Sequence, residues 1–148
     1  MREFILAFLG SLCAGFIFNV RGYKLIFTGL SGVAGWMVYT GLLSFTHHSV
    51  ISIFAGAIAA GLYSESAARL LKTPSTVFSI PGIFPIVPGI AAYEAIQYMT
   101  SKDLYSAGGK LVETLTGACA IAFGILLVTA VFRIVSRPKS KLEKREIK

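Results

Sequence analysis

Charged residues are scarce in this chain, and their scarcity argues against an ordinary soluble domain. Only 14% of the 148 residues are charged, while 55% are hydrophobic; a globular domain carries roughly 25% charged residues. Four windows hold no charged residue, and each is long enough for at least one spanning helix, which needs about 20 apolar residues. These windows are Phe4–Val20, Leu25–Ser64, Thr73–Tyr93 and Thr114–Phe132. The sequence therefore predicts an integral membrane protein.

Cysteine and the common catalytic motifs are also lacking. The two cysteines, Cys13 and Cys119, each lie inside an apolar window, which argues against a disulfide framework. The sequence has no G-x-S-x-G, no H-E-x-x-H and no phosphate-binding loop. The adjacent His47 and His48 have no Cys, Asp or Glu beside them and make a poor metal site. We therefore expect no enzyme activity, no metal site and no cofactor.

Basic residues are plentiful, but their placement argues against a nucleic-acid partner. Seven of the 14 Lys and Arg residues lie between Arg133 and Lys148, after the last apolar window, with no aromatic residue among them. This pattern is typical of a stop-transfer flank or of a patch held against anionic lipid. We predict a transmembrane helical bundle over residues 1–136 and a basic cytoplasmic tail over 137–148.

The predicted fold is all-α, a membrane bundle of about five spans. Helices are expected near 3–20, 24–45, 50–71 and 110–135, with a broken element at 75–100. Short connections make neighbouring helices antiparallel. With five spans, eleven Lys and Arg residues fall on one side and three on the other. The positive-inside rule then puts the N-terminus outside and the C-terminus in the cytoplasm.

Small residues mark the faces on which these helices should pack. The second helix carries Gly29, Gly32 and Gly35, and the third and last helices are rich in Gly and Ala. Helices in lipid associate through close backbone contact of this kind. Because five helices make a thin bundle, we expect a homo-oligomer or a larger hetero-oligomeric assembly.

Three prolines interrupt the fourth element. Pro81, Pro85 and Pro88 fall within eight residues, and glycines follow the first and the last of them. Each proline costs about 3 kcal/mol in a helix interior, so one regular helix cannot contain all three. Irregular backbone at membrane depth must be buried in protein or line a wet cavity, as in the discontinuous helices of transporters. A re-entrant or kinked helix without a ligand is the alternative.

The string FPIVPGIAAYEAI, with Pro85, Pro88, Gly89 and Tyr93, resembles the signature of the threonine/serine exporter family. Two further features resemble the same family: the Phe18-Asn19-Val20 triplet and the pair Gly32 and Gly35 of the second helix. The similarity covers about residues 4–135. More narrowly, the chain resembles the short subunit that corresponds to the family's C-terminal membrane half.

The resemblance implies an exporter of small polar metabolites in the bacterial inner membrane. The substrates would be threonine and serine, or succinate in the split branch, where a longer membrane subunit supplies the other half. Asn19 and the broken element, with Pro85, Pro88, Gly89 and Tyr93, would then line the substrate path. The alternatives are a structural or assembly subunit and a small channel.

A few charged or polar residues remain to be assigned. Glu94, an acid inside an apolar span, is a candidate for proton coupling or for binding a substrate ammonium, or else an ion-paired or interfacial residue. The resemblance does not supply an acid at this position. Glu65 and Arg69 are predicted to form a structural ion pair at i,i+4 spacing, as Lys110 and Glu113 are at i,i+3. Asn19 could instead bridge two helices.

Overall fold

The computed structural model describes residues 2–135, and this part of the chain contains six α-helices. They are α1 (Arg2–Ile17), α2 (Lys24–Thr46), α3 (Ser49–Leu70), α4 (Thr76–Gly82), α5 (Gly89–Thr100) and α6 (Leu104–Val135), with one turn of 3-10 helix at Phe84–Ile86. No strand occurs in this part of the chain, and the all-α prediction is confirmed. The predicted basic tail, 137–148, lies outside the described residues.

Three of the helices, α2, α3 and α6, are long and apolar enough to cross a membrane alone. The pair α4 and α5 would make a fourth span with a 56° bend. At 1.5 Å per residue, the 16 residues of α1 rise about 24 Å, less than the roughly 30 Å of a hydrocarbon core. The five-span count and the orientation therefore stay predictions.

The last helix is longer than its sequence suggested. Residues 101–109 were predicted as a loop, but α6 begins at Leu104 and runs for 32 residues. The cause is a helix cap: Asp103 Oδ1 accepts a hydrogen bond from the Ser106 backbone N–H at 3.2 Å. A carboxylate there satisfies one of the free N–H groups of the first turn, so the helix starts as soon as α5 has ended.

Helices α1, α3 and α5 end in the same way, each with a non-glycine residue in the left-handed region. These residues are Asn19 (φ 60°), Lys72 (φ 50°) and Lys102 (φ 61°). In each case the next residue's N–H bonds a carbonyl five residues back, at 3.0 Å. This is the Schellman arrangement, in which the turn satisfies carbonyls that the helix end leaves free. The connections are short because one residue reverses the chain.

The helices pack in the order α1, α2, α3, α6, α5, and α4 lies across α2 and α3. Glycines make these contacts close. A Cβ atom on Gly56 of α3 would lie 2.9 Å from the Gly35 carbonyl oxygen of α2, and one on Gly124 of α6 would lie 2.9 Å from the Ala57 Cβ of α3. Real side chains do not approach so closely, so the helix spacing depends on these glycines.

Buried hydroxyls join α2 to α3 beneath α4. Ser31 Oγ lies 2.9 Å from Ser64 Oγ and donates to the Ala60 carbonyl oxygen at 3.3 Å. Gly82, the last residue of α4, packs directly on Ser31, and the ring of Phe78 is fully buried nearby. Packing of this kind fixes the end of α4 against the bundle, at the point where the proline segment begins.

Candidate functional site

The backbone changes direction between Gly82 and Gly89. Pro81 is accommodated near the end of α4, Pro85 lies in the 3-10 turn, and Pro88 immediately precedes α5. Pro81, Gly82 and Ile86 are buried against the other helices, while the side chains of Phe84 and Val87 are exposed. One side of this proline break is therefore sheltered by protein.

A cavity of about 290 Å³ lies where the proline break meets the other helices. It opens between the end of α2 and the starts of α3, α5 and α6. Its lining consists of Trp36, Tyr39, Ser49, Ile53, Pro85, Ile86, Val87, Pro88, Gly89, Ile90, Ala91, Glu94, Lys110 and Glu113. Apolar side chains and charged groups thus share one small space, an arrangement typical of sites that orient a small solute.

Three charged residues of this lining form a cluster. Lys110 Nζ lies 2.8 Å from Glu94 Oε2 and 3.1 Å from Glu113 Oε2. Lys110 and Glu113 share a face of α6 because they are three residues apart, and the predicted pair between them is confirmed. Glu94 comes from α5. All three side chains are between 35% and 46% exposed, so water or a solute can reach them.

The first turn of α5 lies at the same place, because Gly89, Ile90 and Ala91 line the cavity. Gly89 N–H bonds the Val87 carbonyl at 2.7 Å, and Ala92 N–H bonds the Pro88 carbonyl at 3.2 Å. The N–H groups that open a helix have no partner within it and carry a partial positive charge. A Cβ atom on Gly89 would meet nothing within 4 Å, so this helix end is open to its surroundings.

Trp36 separates this cavity from a second one. The second cavity, of about 280 Å³, is also lined by Trp36 and Pro85, and it includes Glu3 of α1. The indole Nε1 of Trp36 is buried and has no hydrogen-bond partner within residues 2–135. The ring stacks at an angle on Tyr39, 5.3 Å between centroids. A buried donor without a partner is costly, so a solute or water oxygen that reached it would be stabilised.

The structure brings together only some of the residues predicted for the substrate path. Pro85, Pro88, Gly89 and Glu94 all line the cavity. Tyr93 does not line it; its side chain is 67% exposed on another face of α5.

Asn19 is also remote from the cavity. It follows the C-terminal end of α1, whereas Glu3, at the other end of that helix, lines the neighbouring cavity. Its side-chain Oδ1 accepts a hydrogen bond from Arg21 Nε at 3.1 Å, and its backbone is left-handed. Asn tolerates this conformation better than most residues, which gives Asn19 a local role in the turn.

The predicted ion pair between Glu65 and Arg69 is not formed in the described part of the chain. Arg69 Nη2 instead donates to the Phe132 carbonyl oxygen at 3.1 Å, and its guanidinium carbon lies 4.5 Å above the Phe132 ring. The carbonyls in the last turn of a helix attract cations, and the ring adds a cation–π contact. Together these exceed an exposed i,i+4 pair, which contributes roughly 0.3–0.5 kcal/mol.

Sequence reasoning missed the contributions of α2 and α6 to the cavity. No sequence pattern singled out Trp36 and Tyr39, and Lys110 was predicted to pair only with Glu113. Their spacing of three residues on one helix could have placed the two aromatic residues on one face. The contact of Lys110 with Glu94 could not have been found, because it depends on how α5 packs against α6.

Comparison with known proteins identifies the family of this chain. The family model described as Threonine/Serine exporter, ThrE, matches residues 3–131. A probable threonine/serine exporter of Mycobacterium tuberculosis (strain ATCC 25618 / H37Rv) is 24% identical over 128 residues, covering 83% of this chain and 24% of the relative. The chain therefore spans about a quarter of that relative's length. No solved structure matches it. The chain is a membrane protein that belongs to the threonine/serine exporter family.

Proposed function

We propose that this chain is a membrane subunit of a secondary exporter of small polar metabolites, either threonine and serine or a dicarboxylate such as succinate. The observation that carries the proposal is the cavity at the proline break, where Pro88 and Gly89 meet the charges of Glu94 and Lys110. Transporters present the ends of broken helices to their substrates in this way. The family match supports the exporter function.

The proposed setting is the bacterial inner membrane, with the N-terminus outside and the C-terminus in the cytoplasm. In this orientation the end of α2 and the starts of α3 and α6 lie on the outer side. The cavity between Tyr39, Ser49 and Lys110 would then face the side on which an exporter releases its substrate.

A second, longer membrane subunit is proposed as the partner. The chain corresponds to only 24% of the length of its relative, which leaves room for a second half in the complete exporter. A groove of about 740 Å³ between α3 and α6 is the proposed contact with that subunit, and its walls include Phe54, Leu115, Cys119 and Phe123. Apolar walls of this kind fit a membrane helix.

Efflux from cells tests the exporter. The chain and its longer family partner are expressed separately and together in a strain that lacks its own exporters, and the cells are loaded with threonine, serine or succinate. We expect export above empty-vector cells only when both chains are present. Equal efflux in all strains and for every substrate would contradict the proposal and favour a structural or assembly role.

Cross-linking tests the partner. Both cysteines of the chain are exposed, but Cys119 lies in the groove while Cys13 lies on α1. We expect a membrane-permeant thiol cross-linker to join the longer subunit to wild-type protein and to a Cys13→Ser variant, but not to a Cys119→Ser variant. Cross-linking through Cys13 alone would place the partner elsewhere, and labelling of Cys119 without cross-linking would indicate that lipid fills the groove.

Glu94 is proposed as the proton-coupling residue. The charged and titratable groups around it are the Lys110 ammonium, 2.8 Å away, and Glu113 and Tyr39, which line the same cavity. The Glu94→Gln variant is expected to export substrate with a flattened dependence on external pH. Wild-type efflux with an unchanged pH dependence would remove Glu94 from the coupling step.

A further inference from the structure

The arrangement of charged side chains in the cavity indicates the charge of the solute that it binds. A lysine ammonium lies between two carboxylates, one from α5 and one from α6, at 2.8 and 3.1 Å. These three are the charged side chains of the described lining, so its net formal charge is one negative unit. Glu3 adds a further carboxylate to the neighbouring cavity. The surroundings favour a cation or a zwitterion over a dianion.

The position of the Lys110 ammonium is one that a solute ammonium could occupy. Both groups are primary ammonium ions with hydrogen-bond donors, and carboxylates at 2.7–2.9 Å bind them best. The lysine side chain is long and flexible and about one-third exposed, so it can swing away without a change in the backbone. Once displaced, its charge remains within reach of the cavity.

The carboxylate of an amino-acid solute also has binding partners in this cavity. Three residues of the first turn of α5, Gly89, Ile90 and Ala91, line the cavity, and helix N-termini bind carboxylates. The displaced Lys110 ammonium supplies a second positive group. The cavity therefore offers carboxylates for an ammonium, and positive groups for a carboxylate, within one space of about 290 Å³.

We propose that Lys110 is a built-in substitute for the solute: an amino-acid zwitterion displaces it, placing its ammonium between Glu94 and Glu113 and its carboxylate near Lys110 and the start of α5. This inference rests on the proposed export function and selects among its substrates. A dicarboxylate lacks the ammonium and is repelled by both carboxylates. Charge interactions of this size at a partly exposed site correspond to a preference of about tenfold or more.

Binding can be followed through Trp36, the one tryptophan of the chain, which lines the same cavity. The full chain is placed in lipid nanodiscs, alone and with its longer partner, and a Trp36→Phe preparation supplies the background to subtract. The probes are L-threonine, its methyl ester, 3-hydroxybutyrate and succinate. We expect threonine and its ester to change Trp36 emission at concentrations at least about tenfold lower than succinate does.

Charge variants test the assignment of each group. Glu94→Gln and Glu113→Gln should each weaken binding of threonine about tenfold and narrow its advantage over succinate. Lys110→Met removes the ammonium that competes for the site, so it should strengthen binding of the methyl ester. Threonine should gain less than the ester, because its carboxylate loses a positive partner. Glu65→Gln removes the same charge from α3, outside the cavity lining, and should leave the order of the probes unchanged.

Three results would overturn the inference. They are succinate binding as tightly as threonine, an order of probes that none of the three cavity variants alters, and no change in Trp36 emission with any probe. A purely structural ion-pair cluster would predict the second result, because stability and not selectivity would respond to its loss. Efflux measured with the same chains decides the export function separately, so either claim can fail while the other stands.

Discussion

The contact of α3 with α6 at Gly124 allows a quantitative prediction for the Gly124→Ala variant. An added Cβ atom would lie 2.9 Å from Ala57 Cβ and 3.1 Å from the Phe54 carbonyl oxygen. Carbon atoms prefer separations of about 3.5–4.0 Å. Neither neighbour can rotate away, because one is backbone and the other is fixed by backbone. The two helices must therefore move apart locally by roughly 0.5–1 Å.

The expected change in the stability of Gly124→Ala is the sum of two opposing contributions. Overpacking of this kind costs about 1–3 kcal/mol, and replacing Gly by Ala in a helix returns about 1 kcal/mol. Gly108 lies in the same helix, and a Cβ atom there would meet nothing within 4 Å, so Gly108→Ala carries only the favourable term. We expect Gly124→Ala to be less stable than Gly108→Ala by about 1–3 kcal/mol.

Unfolding in mixed micelles of lipid-like detergent and SDS, followed by helical circular dichroism, measures this difference. Gly61→Ala is a second control on the contact of α3 with α6, since its Cβ atom would lie at an ordinary 3.4 Å from Val128. It should behave like Gly108→Ala. If Gly124→Ala were as stable as both controls, the helices would be free to adjust, and the argument from close glycine contacts would be refuted.

Three further predictions address the hydroxyl pair, the proline break and the helix cap. Ser31→Ala removes the hydrogen bonds from α2 to α3 and should cost about 1 kcal/mol in the same unfolding assay; no loss would show that these bonds contribute nothing. In Gly117→Ala the new Cβ atom would lie 3.0 Å from Pro88 Cγ, so we expect near-normal stability but altered efflux, whereas unchanged efflux would show that Pro88 can shift harmlessly. Hydrogen bonds from the Ser106 hydroxyl and backbone N–H lower the pKa of Asp103, so its stabilisation of the start of α6 should be full above about pH 4 and be lost as the pH falls below that value. Asp103→Ala should abolish this pH dependence, as NMR chemical shifts of the first turn would report.

Much of the fold could be predicted because lipid imposes simple rules. Long uncharged windows predicted helices, and the glycines of α2 were expected to face other helices; Gly35 does pack against Gly56. Pro85 and Pro88 predicted a break that the structure places between α4 and α5. These features are local, since each depends on the residues of one segment and on the solvent around it.

Helix ends were harder to predict. Lys72 and Lys102 adopt left-handed conformations that lysine has no special tendency to adopt, and the sequence carries no glycine there to mark them. The early start of α6 depends on the cap by Asp103. In each case the end of one helix and the start of the next are fixed together, so neither can be located from its own segment.

The candidate site was predictable only in part. Its backbone, from Pro85 to Gly89, followed from the motif, because proline and glycine determine local geometry. Its charge pattern did not, since the ion pair of Glu94 with Lys110 joins two helices. Arg69 illustrates the same point: a partner four residues away was outweighed by Phe132 on another helix.

The length of α6 has a consequence for the influence of the membrane potential. Glu113 and Arg133 lie about 20 residues apart on this helix, a rise of about 30 Å, which is the thickness of the hydrocarbon core. A hydrocarbon core placed between Glu113 and Arg133 would put Lys110 and its acidic neighbours at the level of the lipid headgroups, where little of the transmembrane voltage falls. A full charge that crosses the core exchanges about 2.3 kcal/mol with a potential of 100 mV, but a swing of Lys110 at this level would exchange almost none. Solute capture at the cluster should therefore be insensitive to voltage, and any electrical driving force must act on a deeper step.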